Sequence, residues 1–108
     1  MNDVVLVLST APAAPGDDTA EQIARTLIDE RLAACVNVHA PMVSIYRWKG
    51  AVERDSERQL VIKTTRNALP TLEKRLRELH PYELPEFIVV AASGGSAVYL
   101  EWVAQQIE

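Results

Sequence analysis

The chain has one cysteine, Cys35, so it can form no internal disulfide, and a reducing compartment is its expected home. It also lacks a long hydrophobic run. The apolar stretch near its start, Val4 to Leu8, follows Asp3 and is too short for a membrane span or a signal-peptide core, so a cytoplasmic location is expected. Positive charge is sparse: 11 Lys and Arg are scattered among 15 Asp and Glu. That excludes the basic stripe of a nucleic-acid binder and the polybasic patch of a membrane-surface protein. No CxxC, HxxxH or HExxH pattern offers a ready metal site, and no GxSxG, Walker or GxGxxG motif offers a nucleophile or a cofactor loop. The chain is therefore not expected to be an enzyme or to carry an organic cofactor.

What remains is an ordinary globular balance, 48% hydrophobic and 24% charged, in 108 residues: a single domain spanning 1–108 with a thin core. Val4 to Ser9 reads as a buried strand, and the prolines and glycine of TAPAAPG (10–16) predict a loop. Asp18 is the expected cap of a helix reaching about Leu32, with Glu21 completing a capping box. Its apolar stripe is Ala20, Ile23, Ala24, Leu27 and Ile28. Ala34 to Trp48 is β-rich, and Pro41 inside it argues for an edge position or a bulge. Lys49-Gly50 is a turn signal, and Ala51 to Thr65 returns as a second long strand. Asn67 is the expected cap of a second helix with Leu69, Leu72, Leu76 and Leu79 inward, ending at His80 before Pro81. Phe87 to Ala92 is a strand, and Ser96 opens a last helix through Ile107, with Val98, Leu100, Trp102 and Val103 as candidate packing residues.

The order β-α-β-β-α-β plus a C-terminal helix is the α+β, ferredoxin-like arrangement, with two helices on one face of an antiparallel sheet. The first and last strands are apolar on both faces: Val4, Leu6 and Leu8 oppose Val5 and Val7, and Phe87, Val89 and Ala91 oppose Ile88, Val90 and Ala92. A second apolar face needs a cover. Self-association is the expected one, with the C-terminal helix folding across that face as the alternative.

Several stretches carry a resemblance. LAACVNV (32–38), SIYRWKG (44–50), VIKTTR (61–66), ELHPYELPE (78–86) and YLEW (99–102), with STAP (9–12), are similar to the CutA divalent-cation-tolerance family in order and spacing. The resemblance covers nearly the whole chain. It implies a tight homotrimer with sheets inward and hairpins crossing onto neighbours. It also implies a role in tolerance of copper and other divalent ions, with a metal ion weakly bound. The trimer is similar to PII signal proteins, which hold effectors between subunits. A PII-like module binding a small anion or nucleotide is therefore the alternative function.

For metal, the candidates are His80 with Glu83 and Glu86, converging at an intersubunit cleft; His80 also suits a simple helix-end cap. The family's proposed copper set uses a cysteine before TAP and histidines before PY. Here those positions hold Ser9 and Leu79, and His80 alone is kept. Cys35 and His39 lie about 13 Å apart along a strand and cannot chelate one ion together. For an intersubunit pocket the candidates are Cys35, Trp48, Lys63 and Tyr82, with Lys63 as the cation for an anionic ligand. Each has a structural reading beside it: Cys35 as packing, Trp48 as a subunit contact, Lys63 as half of an ion pair, and the 80–86 segment as a rigid interface loop. The charged run Glu53 to Arg58 is expected to be solvated.

Overall fold

The computed structural model describes residues 3–108. Its strands are β1 (Val4–Pro12), β2 (Cys35–Val38), β3 (Met42–Trp48), β4 (Ala51–Thr65) and β5 (Ile88–Ala91), and its helices are α1 (Thr19–Asp29), α2 (Leu69–Leu79) and α3 (Ala97–Gln106). The sheet runs β2-β4-β1-β5, with β3 also pairing β4, and all pairings are antiparallel. This is the expected ferredoxin-like α+β sandwich. Strand β4 is its spine, because β1, β2 and β3 all pair with it.

Register divides the residues between the two faces. Val7 lies opposite Ile62, and Ser9 opposite Leu60, toward the helices. There Val7, Ala11, Leu60 and Ile62 meet Ile23 and Leu27 of α1 and Leu72 and Leu76 of α2 in the core. Each of these Val, Leu and Ile side chains contributes about 1.5–3 kcal/mol by leaving water. On the other face, Leu6 opposes Lys63 and Val90, and Leu8 opposes Val61 and Ile88. Helix α3 covers one end of this face, where its Val103 is fully buried. The rest stays open: Ile88 is 52% and Val90 41% exposed. The C-terminal helix is thus a partial cover, and the unmet apolar demand read from the sequence is real.

The expected single strand over 34–48 is broken. In β2 Val38 lies opposite Leu60, whereas in β3 Met42 lies opposite Glu57. Three residues, 39–41, therefore face two, 58–59, and a bulge forms at Pro41 on the sheet edge. The His39 amide donates to Gln59 O at 3.0 Å, and Arg58 donates to His39 O at 3.0 Å, so the bulged backbone keeps partners. Beyond it, β3 and the first half of β4 form an arm closed by Lys49 and Gly50, at φ 50° and 84°. That left-handed pair is the two-residue turn whose twist suits a hairpin, and Gly50 supplies its second position without strain.

Other boundaries moved for local reasons. Strand β1 runs through Thr10 and Ala11 to Pro12, because β4 is long enough to pair with it as far as Glu57 and the proline falls at the strand end. Asp18 is the N-cap residue of α1, yet its backbone is not extended and no capping box forms. Asp17 instead accepts from the Thr19 amide at 2.9 Å, and hydrogen bonding from the Thr19 side chain together with this amide holds its carboxyl below the usual range. Helix α1 ends at Asp29, where Arg31 at φ 58° turns the chain and Leu32 N donates back to Leu27 O. Asn67 lies in a short 3-10 turn rather than at a cap, and α2 begins at Leu69. Ser96 caps α3 as expected, accepting from the Tyr99 amide at 3.3 Å. Val98 of that helix points outward at 80% exposure, against expectation.

Leu60 is fully buried in the spine strand, so Leu60→Ala is expected to cost about 2–5 kcal/mol in urea unfolding. Val98→Ala should stay within about 0.5 kcal/mol, and a larger loss there would mean that α3 packs differently.

Candidate functional site

The bulge decides which residues of the arm share a face. After it, Met42, Ser44, Tyr46 and Trp48 lie opposite Glu57, Asp55, Glu53 and Ala51. Val43, Ile45 and Arg47 lie opposite Ser56, Arg54 and Val52 on the reverse side. One side of the ribbon is thus aromatic and acidic, the other aliphatic and basic. The first side faces the segment 81–87, and between them runs an open groove of about 880 Å3. Its walls include Tyr46, Trp48, Tyr82 and Phe87, with Glu57, Glu83 and Glu86 as its charged groups.

Helix α2 and Pro81 place one wall. His80 ends α2, its amide donating to Leu76 O at 2.9 Å. Its buried ring accepts from the Tyr82 amide at Nδ1 (3.1 Å), which leaves the hydrogen on Nε2 to be donated to Thr10 O at 2.6 Å. The ring stands 4.6 Å from that of Tyr82. His80 therefore ties the 81–87 segment to the end of β1, in keeping with its reading as a helix-end residue.

Tyr82 OH donates to Glu57 Oε2 at 2.7 Å. Burial, together with this bond to a carboxylate, raises the Tyr82 phenol well above its ordinary 10.0. Across the groove Tyr46 OH donates to Asp55, and that bond pushes the Tyr46 phenol up to about 12. Gln59 bridges the floor, donating to Ser9 O at 2.6 Å and to Glu86 Oε2 at 3.2 Å. At the mouth, Lys49 Nζ lies 3.4 Å from Glu83 Oε2 and 5.5 Å from the Trp48 ring centroid.

The candidates from the sequence divide between two places. Trp48 and Tyr82 line the groove, with Glu83 and Glu86 beside them. Cys35 and Lys63 are a cross-strand pair at the end of the open face that α3 covers. There Lys63 donates to Tyr99 OH at 3.3 Å and lies 5.6 Å from that ring's centroid. Within one chain the four pocket candidates do not meet. Nor do the metal candidates: among the described residues no three His, Cys, Asp or Glu side chains are grouped to hold an ion. Ser9 is fully buried, and its hydroxyl has no hydrogen-bond partner among the described residues.

Two participants were missed. Glu57 was expected in a solvated run, yet it is only 7% exposed and holds Tyr82. Tyr99, the partner of Lys63, carried no signal. For Glu57 the signal existed: acids at 53, 55 and 57 alternate with Arg54, Ser56 and Arg58, the period of a two-faced strand.

These features define a ferredoxin-like α+β domain with a hairpin arm and a carboxylate-bearing aromatic groove. The family model described as CutA1 divalent ion tolerance protein matches residues 5–106, and the chain belongs to that family. It is 42% identical over 105 residues to the divalent-cation tolerance protein CutA of Thermus thermophilus, covering 97% of each chain. It is 44% identical over 94 residues to Protein CutA of Mus musculus, covering 87% of this chain but only 53% of the mouse protein. Among solved structures, CutA from Xylella fastidiosa superposes with a TM-score of 0.90 at 46% identity, covering 98% of this chain and 99% of that one. The Thermus thermophilus structure gives 0.91 at 41%, covering 97% and 99%. Among the described residues no helix is long and apolar enough to cross a membrane.

The Tyr82 phenol gives a pH prediction. Its proton is held more tightly in the folded chain, so its contribution to stability is intact below pH 10 and falls away as pH rises above that value. Tyr82→Phe is expected to flatten this alkaline decline in denaturation measurements, leaving the smaller slope due to Tyr46. It should also cost about 1–3 kcal/mol at neutral pH by leaving Glu57 without its donor. An unchanged alkaline slope would contradict the assignment.

Proposed function

We propose that the chain serves divalent-cation tolerance as a homotrimer that holds divalent ions, copper among them, weakly in clefts between its subunits. The observation that carries this reading is the continuity of the open apolar sheet face with a groove whose charged groups are all carboxylates. Ile88 lines the groove and belongs to the uncovered face, so copies packing on that face bring the carboxylates to a subunit boundary. Because no three ligating side chains are grouped within the described residues of one chain, a site with three such ligands draws on more than one subunit. Glu83 and Glu86 are the exposed candidates. A role for His80 requires giving up one of its two ring hydrogen bonds, so its share is expected to be smaller.

The anion-sensing alternative relied on Lys63. Its ammonium is engaged by Tyr99, and the groove carries the wrong sign of charge for an anion, so the cation reading is favoured.

Sedimentation of dilute, metal-stripped protein is expected to give a species of three 12.0 kDa chains. Calorimetric titration with copper and zinc should show weak binding. The double variant Glu83→Gln/Glu86→Gln should weaken it by about tenfold, near 1.4 kcal/mol. A folded monomer, or binding untouched by the double variant, would overturn the proposal.

A further inference from the structure

The Glu83 carboxylate is already held, and a residue of the same chain holds it. Lys49 Nζ lies 3.4 Å from Glu83 Oε2 and 5.5 Å from the centroid of the Trp48 ring. Lys49 is the first residue of the left-handed pair that closes the arm, so its side chain leaves the ribbon at the tip. The contact joins that tip to the 81–87 segment, between residues 34 positions apart in sequence. The other ion pairs of the described residues lie on the helices, where Arg75 meets Glu30 and Glu78, and Arg77 meets Glu73. Glu57 and Glu86 accept from the neutral Tyr82 hydroxyl and Gln59 amide. Of the three groove glutamates, Glu83 alone has a protein cation as its partner among the described residues.

A lysine ammonium and a divalent ion cannot share one carboxylate oxygen. The ion needs that oxygen at about 2.0–2.6 Å, and an ammonium within hydrogen-bonding reach of the same atom repels it. Binding of an ion at Glu83 therefore releases Lys49, and a held Lys49 opposes the ion. In the single chain the two side chains are 69% and 72% exposed, so the opposition is modest. A neighbouring copy packed over this face excludes water and salt from the pair. That strengthens the attraction, so the competition does not depend on an open surface.

We infer that Lys49 is an internal competitor for the divalent ion at Glu83, and that ion binding unlatches the arm tip from the 81–87 segment. The inference rests on the proposed ion site between subunits. It adds to that site a reason for weak binding and a part that moves. Trp48 reports the movement, because the ammonium beside its ring departs when the ion arrives.

The test is calorimetric titration of the metal-stripped, full-length protein with zinc, which has no redox chemistry to confuse the reading. Lys49→Met is expected to bind zinc about three- to fivefold more tightly than wild type, the size of effect an exposed ion pair allows. Lys49→Arg keeps the competing charge and should not tighten binding. Arg47→Met removes an equal charge from the reverse side of the arm and should change the affinity by less than about twofold. In a Glu83→Gln background Lys49→Met should have no further effect, because its partner is already gone. With Trp102→Phe leaving Trp48 as the one indole, zinc should shift emission in the otherwise wild-type chain and much less in Lys49→Met. Equal or weaker zinc binding in Lys49→Met overturns the inference and leaves the ion site standing. Equal tightening by Arg47→Met does the same, by reducing the effect to general charge. Absence of both zinc and copper binding from wild type and Lys49→Met overturns the ion site and the inference together.

Discussion

Two registers meet on one strand and differ by a single residue, and the functional face depends on how that mismatch is absorbed. At one end of β4, Val36 and Val38 of β2 must turn toward the helices, which places Val38 opposite Leu60. At the other end the two-residue turn at Lys49 and Gly50 places Trp48 opposite Ala51. These demands are incompatible along an unbroken strand, because carrying the first register to the tip would leave a single residue for the turn. The extra residue is accommodated over 39–41, where Pro41 lacks an amide to lose and the edge position leaves room. Since side chains alternate with period two, one extra residue reverses every side chain beyond it.

That reversal is what gives the groove its chemistry. With it, Tyr46 and Trp48 share a side with Asp55 and Glu57; without it, Val43, Ile45 and Arg47 would have taken their place. The opposite wall depends on His80, which joins the end of α2 to Thr10 and to the Tyr82 amide and so brings Tyr82 within 2.7 Å of Glu57. His80 is thus a structural tie in this chain. The groove opens beside β5, whose apolar side chains α3 leaves uncovered. The groove and the uncovered apolar surface are therefore two parts of one continuous face.

Much of the fold was legible, because long apolar periodicities are hard to misread. The order of elements, the inward stripes of α1 (all but Ile28, which is exposed) and α2, and the surplus apolar face of β1 and β5 all followed from spacing. Helix starts were less legible. Asp17, Asp18 and Asn67 are all good capping residues by type, and the backbone angles that choose among them depend on tertiary context. The extension of β1 through Thr10 to Pro12 was hidden because a proline-rich stretch reads as loop until a partner as long as β4 is known. At the site, Trp48, Tyr82, Glu83 and Glu86 were found through their motifs. Glu57 was masked by the charged run around it, and Cys35 and Lys63, named with Trp48 and Tyr82 for a pocket between subunits, lie in one chain at the far end of the face.

The register of the arm is the central claim, and cross-strand backbone NOEs measured by solution NMR test it most directly. The account predicts contacts between Met42 and Glu57, Ser44 and Asp55, and Tyr46 and Glu53, with the shift relative to β2 confined to residues 39–41. Contacts that continued the β2 register into the arm, placing Tyr46 opposite Val52, would contradict it.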